Sequence, residues 1–288
     1  MQQQRESLVD DAGQIGDEFE FTDDDFHRIC GLIQSRAGIR LGHNKRAMVY
    51  SRLGRRLRKL NIASFKEYLD RMESGTGEEF ATFINALTTN LTYFYREMHH
   101  FSILRSFLEN GSLPRGATIW SAGCSTGEEA YSIAMVLATV RGLRPQNGQV
   151  VASDIDTSVL EHAERGVYTE ERVKNVPPAD LKRFFLGGVG DNAGFVKVRP
   201  ELRQLITFRQ INLHGTSWAV RVPVKVIFCR NVMIYFDAPS RHRILERFAA
   251  QLDPGGLLFL GHAENIADFG NLFRPLGQTA YMRTDRDA

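Results

Sequence analysis

Apolar positions divide this chain into two regimes that meet near Ala117. Upstream, they recur at helical spacing: Phe26, Ile29, Ile33 and Ala37 form one stripe, and Val49, Leu53, Leu57 and Leu60 form another. Thr22 followed by Asp23, Asp24 and Asp25 places a capping hydroxyl and first-turn acids at the start of the first helix, and Gly38 ends it. The second helix is expected over about 43–60, with others at Phe65–Met72 and Glu78–Leu87 and a further one ending near Leu108. Downstream, short apolar runs alternate with helical stretches. Strands are expected near Ile119, at Val150–Asp154, Ile206–Ile211, Val224–Phe228 and Leu257–Leu260, and within Phe273–Met282. Helices are expected to Val140, from Asp156 to about Arg165, and over Ser240–Leu252.

This order predicts a small all-helical N-terminal domain followed by an alternating α/β sheet with a C-terminal hairpin. Pro177-Pro178 breaks the chain, the segment from Gly187 to Gly194 is glycine-rich, and Phe195 to Arg199 alternates as an exposed strand does. An antiparallel excursion is therefore expected at about 184–203. The domain reading is a tail over 1–18, a helical domain over 19–90, and an α/β domain over 91–288.

The α/β region is centred on Ala117–Asp156. There an apolar run feeds the turn Gly123-Cys-Ser-Thr-Gly127, the turn opens a helix, and a second apolar run ends on Asp154, the order of a nucleoside-binding βαβ unit. Gly123 and Gly127 let the backbone turn sharply and approach a ligand, and Asp154 sits where such folds bond ribose hydroxyls. The spacing is G-x-x-x-G rather than the dinucleotide G-x-G-x-x-G, and Glu128-Glu129 replaces the Lys-Ser/Thr of a phosphate loop. Acids at a helix start repel a pyrophosphate and suit an ammonium-bearing ligand, of which S-adenosylmethionine is one. The plainer alternative is that both acids merely complement the helix dipole.

The turn also satisfies G-x-S-x-G, the nucleophile elbow of serine hydrolases, with His214, His242 and His262 as available bases. That fold needs strands upstream of the elbow, and everything upstream of Ala117 reads as helix. The architecture expected of the second domain is that of a class I methyltransferase, a Rossmann-like sheet.

Composition narrows the picture further. With 288 residues, 43% of them hydrophobic, and a formal net charge of +2, the chain can bury a sizeable core and carries no global signature of nucleic-acid binding. No apolar run reaches the roughly 20 residues needed to span a bilayer, and the first residues lack the order of a signal peptide, so a cytoplasmic protein is expected. Cys30, Cys124 and Cys229 are far apart and indicate neither disulfides nor zinc. His99 and His100 are adjacent on a helix, are expected to point apart, and are not read as metal ligands. Charge is concentrated locally: seven basic residues and no acid lie between Lys45 and Lys59. That stripe includes Arg52, Arg55 and Arg56, and it fits an acidic partner or RNA better than an idle solvated face.

Taken together, the motifs resemble the CheR-type chemotaxis receptor methyltransferases. The likeness runs from about Phe21 to Met282 and rests on Asn85-Ala-Leu-Thr-Thr-Asn-Leu-Thr92 with Phe94, Arg96 and Glu97, on Ser125-Thr-Gly-Glu-Glu129, on Ala152-Ser-Asp-Ile-Asp156, and on Phe228-Cys-Arg-Asn-Val-Met-Ile-Tyr-Phe-Asp237. Tyr95 and Ala130 depart from residues common in the family, without removing a polar group. The resemblance implies methyl transfer from S-adenosylmethionine to receptor glutamates, with S-adenosylhomocysteine as product and no metal. It implies a cofactor site at Asn90, Thr92, Arg96, Glu129, Asp154, Asn212, Leu213, Arg230 and Asn231, with Arg96 and Tyr235 orienting the substrate carboxylate. The β-excursion resembles a subdomain that in some members of the family docks a receptor C-terminal peptide, and the resemblance further implies that Lys45, Arg52, Arg55, Arg56 and Lys59 face the cytoplasmic domain of transmembrane receptors, with no insertion into the membrane itself. RNA or small-molecule methylation on the same fold is the alternative. Nucleic-acid amino-methylases commonly carry Asn/Asp-Pro-Pro-aromatic after the fourth strand, where this chain has Arg230-Asn-Val-Met233, so no nucleic-acid partner is expected.

Overall fold

The computed structural model describes residues 18–75, 77–220 and 224–284. The expected tail falls almost wholly outside the described residues. The described residues form two compact units, one comprising those up to Gln34 with Leu41–Leu87, the other Ser35–Arg40 with those from Thr88 onward.

The first unit contains most of α1 (Asp23–Ala37), with α2 (Arg46–Leu60), α3 (Phe65–Ser74) and α4 (Glu78–Leu87). Helix α1 starts as its sequence dictates. Thr22 Oγ1 accepts from Asp25 N at 3.1 Å, and Asp25 Oδ2 accepts from Thr22 N at 3.0 Å, a reciprocal capping box. The stripe on α2 buries Val49, Leu53 and Leu57, while Leu60 stays half-buried. The basic stripe beside it is not uniform. Arg56 turns onto Glu79, which also accepts from the Tyr68 hydroxyl at 2.8 Å, and Arg52 Nη1 donates to the Ala86 carbonyl at 3.2 Å. Lys45, Arg55 and Lys59 are exposed. Acids from other helices thus supply the ion pairing that α2 lacks along its own length.

The second unit carries α5 (His99–Glu109), β1 (Thr118–Ala122), α6 (Glu128–Arg141), β2 (Gln149–Asp154), α7 (Thr157–Arg165), β3 (Val167–Thr169), α8 (Pro178–Phe184), β4 (Phe185–Gly187), β5 (Phe195–Val198), α9 (Pro200–Arg203), β6 (Ile206–Gln210), β7 (Val224–Cys229), α10 (Ala238–Gln251), β8 (Leu252–Leu260), β9 (Phe273–Gly277) and β10 (Ala280–Arg283). The large sheet has the order β6-β2-β1-β7-β8-β10-β9. Its strands are parallel from β6 to β8, and β10 runs antiparallel to both neighbours. This is the expected class I methyltransferase sheet with its closing hairpin.

Period-two alternation assigns the strand residues to two apolar cores. Ile119, Val226, Phe228, Leu257 and Phe259 join the core built with α5 and α6. Trp120, Ile227, Cys229, Leu258 and Leu260 join the core built with Ile244, Leu245 and Phe248 of α10. Both faces of the sheet are therefore covered, and its ligand chemistry is confined to the carboxyl ends of the strands.

A second, three-stranded antiparallel sheet of order β3-β5-β4 rests through Tyr168, Phe185, Val196 and Val198 on the core of α5 and α6. One of its strands, Val167–Thr169, lies well before the stretch 184–203 that the sequence marks. Three residues are too few to display an alternation, and their pairing with β5 is what makes them a strand.

Gly127 shows how tightly the sheet and helices meet. It has φ +96°, and a Cβ there would stand 2.7 Å from Cβ of Ala163 and 3.0 Å from the Tyr168 hydroxyl. Gly127→Ala should cost about 2–4 kcal/mol from left-handed strain and overpacking together. Urea unfolding measures this, and a loss below about 0.5 kcal/mol would show that the turn relaxes freely.

Candidate functional site

The turn after β1 is built from its own amides. Gly123 N and Cys124 N both donate to the Ser153 carbonyl, at 2.7 and 2.8 Å, Ser125 N donates to Asp154 Oδ2 at 2.9 Å, and Gly127 N donates to the Cys124 carbonyl at 3.0 Å. A phosphate loop needs such N–H groups pointing at the ligand, and here they are consumed internally. Gly123 has φ +89°, and its Cβ would lie 2.4 Å from Val232 Cγ2. Glycine is thus required at both 123 and 127 by protein packing, in addition to the expected approach of a ligand to the turn.

The two acids that close β2 have different tasks. Asp156 is the N-cap of α7, accepting from Ser158 N at 2.9 Å, and its other oxygen accepts from Thr88 Oγ1 and Asn90 Nδ2, both at 2.7 Å. Ser125 Oγ in turn donates to the Asn90 carbonyl at 3.1 Å. Asn90 is therefore anchored against the turn and against Asp156. Asp154 receives Ser125 N on Oδ2 and, at 3.0 Å, Asp156 N on Oδ1, so each oxygen keeps lone-pair capacity for a hydroxyl. Burial is the main reason its pKa is raised, to about 6, with the two backbone donors opposing.

A similar division separates the first two residues of α6. Glu128 is fully buried, is paired with Arg172, and accepts from Thr126 Oγ1 at 2.6 Å, so it belongs to the architecture. Glu129 accepts from Ser121 Oγ at 2.6 Å and faces Arg230 Nη1 at 3.5 Å. Burial lifts the pKa of Glu129, and Arg230 opposes that lift.

Arg230, following β7, has a buried guanidinium. Its Nη2 donates to the Arg96 carbonyl and lies 3.6 Å from Glu97 Oε2, and the group sits over the Phe101 ring at 5.6 Å. Arg96 Nη1 donates to the Leu91 carbonyl at 3.0 Å, and its guanidinium lies 5.7 Å from the Tyr93 ring. Burial raises the Tyr235 hydroxyl pKa, and the Arg96 charge opposes that rise. Asn231 takes φ +59° and donates its N–H to Glu264 Oε2 at 2.9 Å. After β6, Ile211 N donates to the Asp154 carbonyl at 3.0 Å, so Asn212 and Leu213 follow directly. Asn212 forms a turn by accepting from His214 N at 2.9 Å and donates to the Arg36 carbonyl at 2.6 Å. Thr92 and Leu213 are buried.

The structure thus collects Asn90, Gly123 and Asp154 in one network, Arg96, Glu129 and Arg230 in a second, and Asn231 with Tyr235 beyond β7. Three contributors escaped sequence reasoning. Thr88 and Asp156 lie inside quoted motifs without an assigned part, and Glu264 gathers Asn231 N, Gly261 N and Ile234 N on its carboxylate. Glu264 stands just beyond β8, so the collection of polar residues at strand carboxyl ends was the signal for it. The histidines need a correction. The rings of His99 and His100 do not point apart; their centroids are 4.2 Å apart. His100 is fully buried, and desolvation followed by the Arg230 charge pushes its pKa down to about 3.

The buried carboxylate of Asp154, the partly exposed one of Glu129 and a closed-off turn fit a ligand with an ammonium, a sulfonium and ribose hydroxyls, and do not fit one with phosphates. The comparisons agree. The family described as "CheR methyltransferase, SAM binding domain" matches residues 90–282, and "CheR methyltransferase, all-alpha domain" matches residues 24–88. A "Chemotaxis protein methyltransferase" of Klebsiella aerogenes is 49% identical over 272 residues, covering 94% of this chain and 93% of that one. Another of that name from Escherichia coli is 47% identical over 269 residues, covering 93% of each. "Chemotaxis protein methyltransferase 2" of Pseudomonas aeruginosa is 48% identical over 265 residues, covering 92% of this chain and 94% of that one.

The raised pKa of Asp154 gives a pH signature. Its native value near 6 exceeds the ordinary value of about 3.9, so the folded state binds the proton more tightly than the unfolded chain does. The associated stability is fully present below pH 4 and is lost as pH rises through 6, about 3 kcal/mol in all. Wild type should therefore gain stability relative to Asp154→Asn as pH falls from 7 to 4. Its S-adenosylhomocysteine affinity should weaken below pH 6, because hydroxyl donors favour the carboxylate. Denaturation and calorimetry across that range check both, and parallel pH curves for the two proteins would remove Asp154 from the site.

Proposed function

Because this chain belongs to the CheR methyltransferase family and is an S-adenosylmethionine-dependent methyltransferase of chemotaxis, we propose that it methylates glutamate side chains of chemotaxis receptors. The products are glutamate methyl esters and S-adenosylhomocysteine. The observation that carries this reading is that Arg230 joins the carboxylates of Glu97 and Glu129, at 3.6 and 3.5 Å, while donating to the Arg96 carbonyl. Acids so gathered suit a cation, and the half-buried guanidinium of Arg96 is the candidate partner for an anion.

S-adenosylmethionine supplies a sulfonium methyl that is open to nucleophilic displacement. Glu129 would hold its ammonium end and Asp154 its ribose, with Asn90, Thr92, Asn212, Leu213 and Asn231 as the remaining walls. No general base is needed, since a glutamate of pKa about 4.3 is already ionised at neutral pH. The work of the protein is to orient that carboxylate and exclude water, so that attacking oxygen and methyl carbon meet at roughly 3 to 3.5 Å. A guanidinium has five N–H donors, and the bond to the Leu91 carbonyl fixes the aim of Arg96 while further donors serve the carboxylate. The Tyr235 hydroxyl sets the plane. Ser125 Oγ donates to a backbone carbonyl rather than to a histidine, which disfavours the hydrolase reading.

Receptor engagement is the finer part of the proposal. In the small sheet β4 is an edge strand, and Leu186, Val189 and Phe195 are exposed around it, a surface suited to an added strand from a receptor C-terminal peptide. In the helical unit, the outward charges include Lys45, just before α2, and Arg55 and Lys59 on it, suited to an acidic helix. Arg52 and Arg56 serve within the unit.

Radiolabelled S-adenosylmethionine offered with receptor membranes or with total RNA tests the substrate class. Base-labile label in receptor is expected, and base-stable label in RNA would overturn the proposal. In single turnover Arg96→Ala should fall about a hundredfold, as loss of a charge-stabilising donor does elsewhere, and Tyr235→Phe should fall less. Wild-type rates for Arg96→Ala would cancel its assignment. Charge reversal at Arg55 and Lys59 should weaken receptor affinity and flatten its salt dependence without moving S-adenosylhomocysteine affinity. Unchanged salt dependence would end the docking role of α2.

A further inference from the structure

We propose that Glu97, His99 and His100 form a binding site for one divalent transition-metal ion, best matched by Zn²⁺, whose occupancy slows methyl transfer. The cluster has an unresolved contact at its centre. His100 is fully buried, and its Nε2 lies 2.7 Å from the Gln278 carbonyl oxygen. A carbonyl has no proton to give, so Nε2 carries the hydrogen and Nδ1 keeps its lone pair. That lone pair faces Glu97 Oε2 at 3.5 Å, and both atoms are buried without a hydrogen-bond partner. Two acceptors held together away from water are costly unless something positive lies between them.

A third ligand atom is at hand. Each of Glu97, His99 and His100 offers one, and the three lie within 4.8 Å of one another. Zinc–nitrogen and zinc–oxygen bonds of about 2.0–2.2 Å require closer approach than that. His99 and Glu97 are only partly buried, so side-chain rotation can close the set around the fixed His100. The surroundings of His100 are those of a metal ligand, because ligating imidazoles commonly donate their second N–H to a backbone carbonyl, as Nε2 does here to Gln278. The other Glu97 oxygen is held by His262 N at 3.3 Å. Two neutral nitrogens and one carboxylate form a three-ligand set with an open fourth position.

Two features weaken the site and give it consequence. Arg230 lies 3.6 Å from Glu97 Oε2, and the cluster sits at the positive start of α5. The ion therefore competes with Arg230 for Glu97, and binding is weaker than at a structural zinc site. Drawing Glu97 away also disturbs the guanidinium that faces Glu129 and bonds the Arg96 carbonyl, which is how occupancy reaches the reaction.

Chelator-treated full-length protein titrated with ZnCl₂ by calorimetry, and with Co²⁺ by visible absorption, tests the site. One ion per chain is expected, with the visible bands of cobalt bound to nitrogen and oxygen. His99→Ala should weaken binding at least tenfold while leaving metal-free S-adenosylhomocysteine affinity intact. His262→Ala, at an exposed neighbouring histidine outside the set, should bind as wild type does. Absence of stoichiometric binding, or equal binding by His99→Ala, would overturn the site. The link to activity rests on the methyl-transfer reading: zinc should slow wild type and not His99→Ala. The binding titrations stand apart from the identity of the methyl acceptor, so the two ideas fail separately.

Discussion

The buried guanidinium of Arg230 is the constraint on which the site depends. A charge with 2% of its side chain exposed cannot stand alone in a protein interior, and here it is shared among Glu129, Glu97, the Arg96 carbonyl and the Phe101 ring. Those partners come from α6, from the segment before α5 and from α5 itself, so one charge fixes three pieces of chain at the carboxyl end of β7. Such clusters are poor sources of net stability, because an apolar replacement of similar volume often does as well. Losing one partner costs about 3–5 kcal/mol, however, because it strands the other charges. What Arg230 supplies is position, and Arg96 is the residue positioned.

Paired acids make the same economy visible twice. Asp154 and Asp156 close one strand, and Glu128 and Glu129 open one helix; in each pair one acid is fully used by the fold and the other is left perturbed. Asp156 caps α7 and holds Thr88 and Asn90. Glu128 holds Arg172 and Thr126. Asp154 and Glu129 are the ones whose pKa burial has raised. An acid that the fold does not neutralise is a standing demand for a cation or a hydroxyl donor, and the four turn amides already bonded within the protein ensure that no phosphate answers it.

Much of this was legible in the chain. The stripes on α1 and α2, the capping box at Thr22 and the buried-strand runs each follow from local periodicity, and the helix Glu78–Leu87 was marked to the residue. What was hidden depends on partners distant in sequence. Val167–Thr169 becomes a strand only by pairing with β5. Gly123 and Gly127 are glycines because of Val232 and Ala163, which no local reading of the turn contains. Arg56 leaves the outward basic surface because Glu79 reaches it. Adjacent residues at a helix start diverge by about 100° in direction, yet the side-chain torsions of His99 and His100 bring their rings together, and torsions are not written in spacing.

The same electrostatics orders the encounter on the reading proposed above. Around Arg230 stand the carboxylates of Glu97 and Glu129, at 3.6 and 3.5 Å, so the acids outnumber the guanidinium they share. An approaching glutamate meets Arg96 first, but the potential behind it is unfavourable until a cation is seated among those acids. A ligand carrying an ammonium and a sulfonium beside its one carboxylate adds one net positive charge and offsets that balance, and inside a low-dielectric site each charge counts for several times its value in water. Methyl donor before carboxylate is then the sequence of binding that avoids burying like charges. With sulfur neutral in the product and the ester uncharged, the attraction between sulfonium and carboxylate is gone when the products must leave, and the ammonium and ribose contacts alone hold S-adenosylhomocysteine.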